Sequence, residues 1–467
     1  MSDGFASLSL SANLLEVVNE LGYVTPTRIQ VESIPVLLAG NDLVGQSKTG
    51  SGKTAAFALP ILHQLDIDNR SLQALIICPT RELSAQVARE IRILGRKHPG
   101  LRVSELCGGQ PVKPQVSALE RGVHIVVGTP GRLLDHVSRD TIHTDAIRTV
   151  VLDEADRMLD MGFGADVEKL LRAVPKSRQT VLFSATFPPG IEAISKRYQR
   201  DAIRITIAEE ESEGEGISQL KLQAEGNDKV LALFSVLHKY PHNSAIVFCN
   251  FKKTVVELLR ELNRAGVSAD RLDGDLDQYH RDQVLARFRN HSVNVLIATD
   301  VAGRGLDVEE LDLVINYEFP QQPETYLHRI GRTGRAGRQG LAISFVSKRD
   351  NSRLESIEEL TGVPIKTLPW AQSDYPDFDK LAKAIACEAP MVTILISGGR
   401  KDKVRAGDIL GALTGDAGQL KGADIGKIEI RDRLSYVAVT RSKGKRAAES
   451  LNAGRIKGKR FRASLVS

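Results

Sequence analysis

Short runs dominated by apolar residues recur along the chain, each ended by a polar, glycine or proline residue. In the first half they are Leu75 to Cys78, Val103 to Leu106, His124 to Val127, Thr149 to Leu152 and Thr180 to Phe183, with stretches of helical spacing between them. A continuous apolar run marks a strand buried on both faces, and its alternation with helices predicts a mostly parallel sheet. A second alternating series follows at Ala245 to Cys249, Asn294 to Ala298, Leu313 to Asn316 and Leu341 to Phe345. Between the two series, Ala208 to Gly216 reads Ala-Glu-Glu-Glu-Ser-Glu-Gly-Glu-Gly, a solvated linker. After Pro364 the pattern loosens through Trp370 to Pro390. It then resumes as strand (Met391 to Ser397), helix (Ala406 to Leu413), strands (Ile425 to Ile430, Ser435 to Thr440), helix (Lys445 to Leu451) and strand (Phe461 to Val466). The expected architecture is α/β: two tandem parallel-sheet domains at 1–207 and 217–364, a linker at 208–216, a connector at 365–390, and a small α+β domain at 391–467.

Length agrees, since 467 residues exceed one compact core. The net charge of +5 hides an asymmetry: from Met391 onward there are 17 Lys+Arg against 7 Asp+Glu, net +10, and the rest, 46 against 51, is net −5. A basic tail on a mildly acidic body points to a polyanion docking at the C-terminus. Cys78, Cys107, Cys249 and Cys387 are far apart and form no paired motif, so a metal site or disulfide framework is not expected. No apolar run nears the roughly 20 residues that cross a bilayer, and no charged-then-apolar leader opens the chain, so the expectation is a cytoplasmic protein with no membrane partner.

Candidate chemistry concentrates on loops at strand ends. Ser47-Lys48-Thr49-Gly50-Ser51-Gly52-Lys53-Thr54 lies between the apolar Leu43-Val44 and a helical stretch. Glycines at 50 and 52 let the backbone turn its N–H groups inward onto phosphates, Lys53 adds positive charge, and Thr54 offers a hydroxyl to Mg²⁺. Ser47 stands where the general pattern has its first glycine. The run Thr149 to Leu152 ends in Asp153-Glu154-Ala155-Asp156, which sets acids beside the crevice at a strand's carboxyl end. Asp153 can hold Mg²⁺, and Glu154 can orient and deprotonate an attacking water. Near the N-terminus, Tyr23 could stack on a flat base, and the Gln30 amide could read an adenine edge.

The remaining strand-end loops are Pro79-Thr80-Arg81, Gly108-Gly109, Thr129-Pro130-Gly131-Arg132 and Ser184-Ala185-Thr186. Their hydroxyls, N–H groups and guanidinium forks suit a phosphodiester backbone and read no bases. The second series has no phosphate loop of its own but carries Gln278, Thr299-Asp300, Asp307 and His328-Arg329-Ile330-Gly331-Arg332-Thr333-Gly334-Arg335. Three arginines in seven residues, spaced by glycine and threonine, predict a presented cationic surface. Arg332 and Arg335 fit arginine fingers on a transferring phosphoryl group, and all three equally fit a grip on nucleic-acid phosphates.

This ordered set, spanning residues 5 to 345, resembles the DEAD-box ATP-dependent RNA helicases. The resemblance implies two RecA-like domains that close on ATP and Mg²⁺ with RNA bound across both. By it, Tyr23 and Gln30 contact adenine; Ser47, Thr49, Gly50, Gly52, Lys53 and Thr54 hold phosphates and metal; Asp153 and Glu154 serve metal and water. Asp307 contacts ribose, Arg332 and Arg335 are the fingers, and Ser184, Thr186 and His328 couple hydrolysis to strand separation. Pro79, Arg81, Gly109, Thr129, Gly131, Arg132, Gln278, Thr299 and Asp300 line the RNA path. Ser47 and Ser84 stand where alanine is commoner in the family, and Gly303 where a second alanine is.

The element order of the tail fits an RNA-recognition-motif (RRM-like) fold. Its third strand carries only Tyr436 as a stacking aromatic, which shifts the expected RNA contacts to the basic loops: Arg400, Lys401, Lys403 and Arg405, then Lys457, Lys459 and Arg460. The tail resembles that of the bacterial DbpA subfamily, which implies a 23S ribosomal RNA hairpin as target and a role in large-subunit assembly. The expected protein is a monomeric RNA-dependent ATPase that unwinds duplexes locally. The alternatives are an RNA chaperone using ATP only as a clamp, and a DNA helicase.

Overall fold

Strands form where the apolar runs lie, and the candidate loops of the first half follow directly on strand ends. The computed structural model describes residues 4–47, 51–207, 216–226, 228–300, 311–334, 339–371, 373, 378–385, 388–415 and 418–466. The chain divides into two compact units, one reaching residue 210 and the other taking nearly all of the rest.

The first unit is built on β1 (Leu43–Gln46), β2 (Ala74–Ile77), β3 (Val103–Leu106), β4 (Ile125–Gly128), β5 (Thr149–Leu152), β6 (Gln179–Ser184) and β7 (Ile203–Thr206). They pair in parallel in the order β3-β4-β2-β5-β6-β1-β7. Because β5, β6 and β1 are neighbours, with Leu152 beside Leu182 and Gln46 beside Ser184, the loops after these three strands open side by side. This is the ligand end of an open parallel sheet.

The second unit begins with β8 (Ile217–Gln223), β9 (Ala245–Cys249), β10 (Ala269–Leu272), β11 (Val295–Thr299), β12 (Leu313–Asn316), β13 (Gly340–Val346) and β14 (Lys366–Thr367). Their order, β10-β11-β9-β12-β13-β8-β14, repeats the first sheet with seven added to each number. The body is therefore one RecA-like topology used twice. The repeat also shows what the second copy lacks, since the turn after β8 begins Ala224-Glu225 where the first copy has its glycine-lysine loop.

The stretch that loosens in sequence is fixed to this second sheet. β14 extends its edge beside β8, the Trp370 indole donates to Ser235 Oγ at 2.9 Å, and helix Phe378–Ile385 buries Leu381 and Ile385 while Phe378 stacks on Phe234 at 4.9 Å. Only a few apolar residues are needed for this, which is why the periodicity there is weak.

The C-terminal sheet comprises β15 (Met391–Ile396), β16 (Ile425–Ile430), β17 (Ser435–Thr440) and β18 (Ala463–Leu465), antiparallel in the order β16-β17-β15-β18. Alternation divides its faces. Ile394, Ile396, Val437 and Val439 pack under helices Ala406–Thr414 and Gly444–Ala453. The other face meets helix Gln278–Arg289 and the turn after it. Arg289 forks onto Glu429 at 2.7 and 2.9 Å, while Asn290 and Ser292 reach Thr393 Oγ1 at 3.2 and 2.8 Å. Tyr436, on that face, is fully buried near Asp282 and Tyr279. The surface on which an RRM-like sheet would stack bases is occupied by the protein itself.

Candidate nucleotide site and nucleic-acid interface

Gly52 closes the phosphate loop at φ 89°, a left-handed conformation that glycine adopts without strain, and helix Lys53–Gln64 starts immediately after it. An added Cβ at Gly52 would lie 2.4 Å from Gln30 Nε2, so a side chain here would also displace the Gln30 amide from its contact with the loop. That contact is a clamp: Gln30 Nε2 donates to the Gly52 carbonyl at 3.1 Å, the Thr27 hydroxyl donates to the Ser51 carbonyl at 2.8 Å, and Thr27 N–H donates to Gln30 Oε1 at 2.9 Å. Gln30 thus commits both ends of its amide to the loop and its own helix cap. Tyr23 is partly exposed, its ring 6.2 Å from that of Phe5.

Lys53 is buried and its ammonium donates to the Ser47 carbonyl at 2.7 Å; Ser47 in turn lies 2.9 Å from Ser51 across the loop, Oγ to Oγ. Thr54 is the second residue of the helix. Asp153, after β5, is almost wholly buried. Burial pushes its carboxyl up to about 7, with Lys53 pulling it down and Glu154 pushing it further up. A buried carboxylate under the influence of Lys53, and the hydroxyl of Thr54 next to Lys53 at the helix N-terminus, are hard oxygen donors that suit Mg²⁺ bound with nucleotide phosphates. The residues present fit that group.

Glu154 takes a left-handed backbone (φ 51°) at the start of helix Ala155–Asp160, and its Oε2 accepts from Arg157 Nη1 at 2.5 Å. Asp156 joins the acidic loop to the loop after β6. Its Oδ2 accepts from the N–H groups of Ala185 (3.1 Å) and Thr186 (2.8 Å) and the Thr186 hydroxyl (2.9 Å), and its own N–H donates to Ser184 Oγ at 3.2 Å.

On the remaining loops of this unit, Pro79 is buried and Arg81 lies against Gly108 and Gly109, where a Cβ on Gly109 would fall 1.9 Å from its guanidinium. Thr129 precedes helix Pro130–Ser138, and Gly131 faces open space. Arg132 donates to the Gln110 carbonyl (3.1 Å) and to Gln115 Oε1 (2.8 Å). Gln115 is held from behind by His136 at 2.9 Å.

The expectation of presented arginines in the second unit is corrected for Arg329 and Arg332. Arg329 is 1% exposed: it forks onto Asp300 at 2.6 and 2.8 Å, donates to Asn316, Asn250 and the Glu318 carbonyl, and lies over the Phe248 ring. Arg332 is 3% exposed. Five donors matched by oxygens from separate strand ends offset the lost hydration of a buried guanidinium, and they make Arg329 a tie between loops. Asp300 accordingly commits both carboxylate oxygens to Arg329. Thr299 ends β11 and is buried, Gln278 bonds Asp282 at 3.0 Å, and His328 precedes Arg329 on helix Pro323–Ile330. Thr49, Gly50, Asp307 and Arg335, and linker residues 208–215, lie outside the described residues.

In the C-terminal domain, Arg400, Lys401, Lys403, Arg405, Lys457, Lys459 and Arg460 all lie on the loops at one end of the sheet, and Lys457 Nζ donates to the Lys403 carbonyl at 3.0 Å, which brings the two basic loops together.

Three family models match in tandem: DEAD/DEAH box helicase over residues 27–194, helicase conserved C-terminal domain over 228–337, and DbpA RNA binding domain over 393–465. The chain is 47% identical over 450 residues to the ATP-dependent RNA helicase DbpA of Escherichia coli (strain K12), covering 96% of both proteins. The chain belongs to the DEAD-box ATP-dependent RNA helicases, in the DbpA subfamily. This helicase is also 45% identical over 357 residues to the DEAD-box ATP-dependent RNA helicase CshA of Bacillus anthracis, which covers 76% of this chain and 67% of that one. Among solved structures, Saccharomyces cerevisiae Dbp5 bound to RNA and ADP BeF3 superposes with a TM-score of 0.71 at 32% identity, covering 82% of this chain and all of that one.

The residues that organise the candidate site differ in how far they stand out in the sequence. Asp156 is visible as the last acid of its motif, and its link to Thr186 only needs the two strand ends to be neighbours. Gln115 and Arg157 give no signal, because a lone glutamine or arginine in a helix reads as surface.

Proposed function

We propose that this helicase locally unwinds RNA duplexes, targeting a hairpin of 23S ribosomal RNA during assembly of the large ribosomal subunit, and acts as a monomer in the cytoplasm. The proposal rests on full-length similarity to a DbpA protein, on the RNA-binding domain model matched by the tail, and on the paired basic loops there. Among the described residues no helix is long and apolar enough to cross a membrane.

The single observation that best carries a mechanism is the adjacency of β5, β6 and β1, which groups phosphate-binding, acidic and hydroxyl loops at one edge. In the proposed reaction Lys53 leaves the Ser47 carbonyl for the ATP phosphates, with the loop N–H groups alongside. Mg²⁺ carried by the nucleotide would be held from Asp153 and Thr54 and would supply charge neutralisation on the phosphates. Glu154 takes the proton of the attacking water, giving ADP and phosphate, and Arg332 and Arg335 offset charge on the phosphoryl group. Tyr23 and Gln30 border the adenine and Asp307 the ribose. Asp156 transmits the state of the acidic loop to Ser184 and Thr186, and His328 serves the same coupling. Pro79, Arg81, Gly109, Thr129, Gly131, Arg132, Gln278, Thr299 and Asp300 border the RNA, with Asp300 and Gly109 acting by shaping their arginines.

Glu154→Gln tests the centre of this scheme. ATP and RNA binding are expected to persist while RNA-stimulated turnover falls by about a hundredfold or more. Unimpaired turnover would remove Glu154 from the reaction.

A further inference from the structure

We propose that Arg157 is a positioning residue for ATP hydrolysis, holding the Glu154 carboxylate so that one of its oxygens faces the attacking water. The inference rests on the role of Glu154 proposed above.

Glu154 and Arg157 are one helical turn apart at the start of helix Ala155–Asp160, and both side chains are buried, 8% and 1% exposed. Two arginine–carboxylate pairs with a buried guanidinium, Arg289 with Glu429 and Arg329 with Asp300, are two-point forks, the geometry that best offsets the loss of hydration, while Arg287 gives Asp270 a single N–H at 2.6 Å. Arg157 gives Glu154 a single N–H, on Oε2. Among the described residues its Nε and Nη2 have no acceptor, and Glu154 Oε1 accepts no hydrogen bond.

A closed fork would serve the fold better, because each unmet buried donor is destabilising. Leaving Oε1 open keeps a lone pair for a water proton, while the bond to Oε2 fixes the direction in which it points. The left-handed backbone at Glu154 carries the same mark, a local cost held in place by its surroundings. Arg157 is itself anchored, its N–H donating to Asp156 Oδ1 at 2.9 Å, so the aim of Glu154 is tied to the carboxylate that grips Thr186. Proper aim matters because displacement of a reacting group by about 1 Å can cost on the order of a hundredfold in rate.

The test uses the full chain with Arg157→Met, Arg157→Lys and Glu154→Gln, alone and combined, reading kcat and KM for RNA-stimulated ATP turnover alongside nucleotide affinity and melting temperature. Arg157→Met is expected to lower kcat by about 10- to 100-fold with KM within about twofold, since direction is lost and binding is not. Arg157→Lys, which keeps one donor, recovers most of the rate. In the Glu154→Gln background Arg157→Met lowers the residual rate no further. Wild-type kcat in a folded Arg157→Met protein would overturn the inference, as would an equal loss in the Glu154→Gln background. If Arg157→Met fails to fold, Arg157→Lys decides: a cooperative melt with partial kcat loss and unchanged KM supports the role, and unchanged kcat refutes it. Full activity in Glu154→Gln would instead sink the role of Glu154 itself.

Discussion

Reversing the charge of Arg289 should release the C-terminal domain from the second sheet. Arg289 and Glu429 are 8% and 13% exposed at their side chains, and the fork at 2.7 and 2.9 Å is the main polar tie of that face. Burial alone would raise the Glu429 carboxyl, but the Arg289 bonds, with Arg431 and Lys427 nearby, more than offset it and leave the group below its ordinary value. Removing one partner of a buried pair costs about 3 kcal/mol or more. Arg431 at 3.5 Å and Lys427 at 3.8 Å recover part of this, so about 2 kcal/mol, roughly thirtyfold in the docking equilibrium, is the working figure. Energy transfer between dyes on helix Lys252–Arg264 and helix Ala406–Thr414 reads docking directly. Arg289→Glu and Glu429→Arg should each lower the transfer, and the double exchange should restore it. Because the Glu429 carboxyl is depressed in the folded state, its contribution is present above the ordinary carboxylate range and lost as pH falls below about 4. Unchanged transfer in both single variants would refute the reasoning.

Two further outcomes follow from the sites. Lys401, Lys403 and Lys457 converted together to alanine should flatten the salt dependence of RNA hairpin binding by about 0.7 to 0.9 in log–log slope for each phosphate left without its lysine, measured by titration between low and moderate salt; an unaltered slope would place the RNA elsewhere on the domain. The Asp153 carboxyl, pushed up to about 7 by burial, binds a proton in the nucleotide-free fold that it would lack unfolded, so its contribution to stability is lost as pH rises through 7. Metal must displace that proton, so Mg²⁺-dependent ATP affinity should weaken by up to about tenfold per pH unit below 7, and a flat profile from about pH 5.5 to 8 would contradict this.

The candidate nucleotide site was legible because its groups sit on loops ending apolar strands, so residue order alone set them at one edge. Strands whose polar residues interrupt the run were not seen: Ala269–Leu272 contains Asp270 and Arg271, Ile203–Thr206 alternates at an edge, and Lys366–Thr367 is two residues long. Arg329 misled because its neighbours resemble an exposed turn, whereas Asn250, Asp300 and Asn316, which absorb its charge, come from distant strand ends. The docked face escaped for the same reason. Thr393, Glu429 and Tyr436 are ordinary strand residues until helix Gln278–Arg289 is laid across them. The scarcity of aromatics on that face was readable, and its cause was not.

Whether this chain turns ATP hydrolysis into separation of RNA strands is measured most directly by strand displacement from a short RNA duplex beside a structured hairpin, followed with ATP, with a non-hydrolysable analogue and without nucleotide. Repeated displacement with ATP, and no more than a single round with the analogue, is the expected result. Equal displacement under all three conditions, or none with ATP, would contradict it.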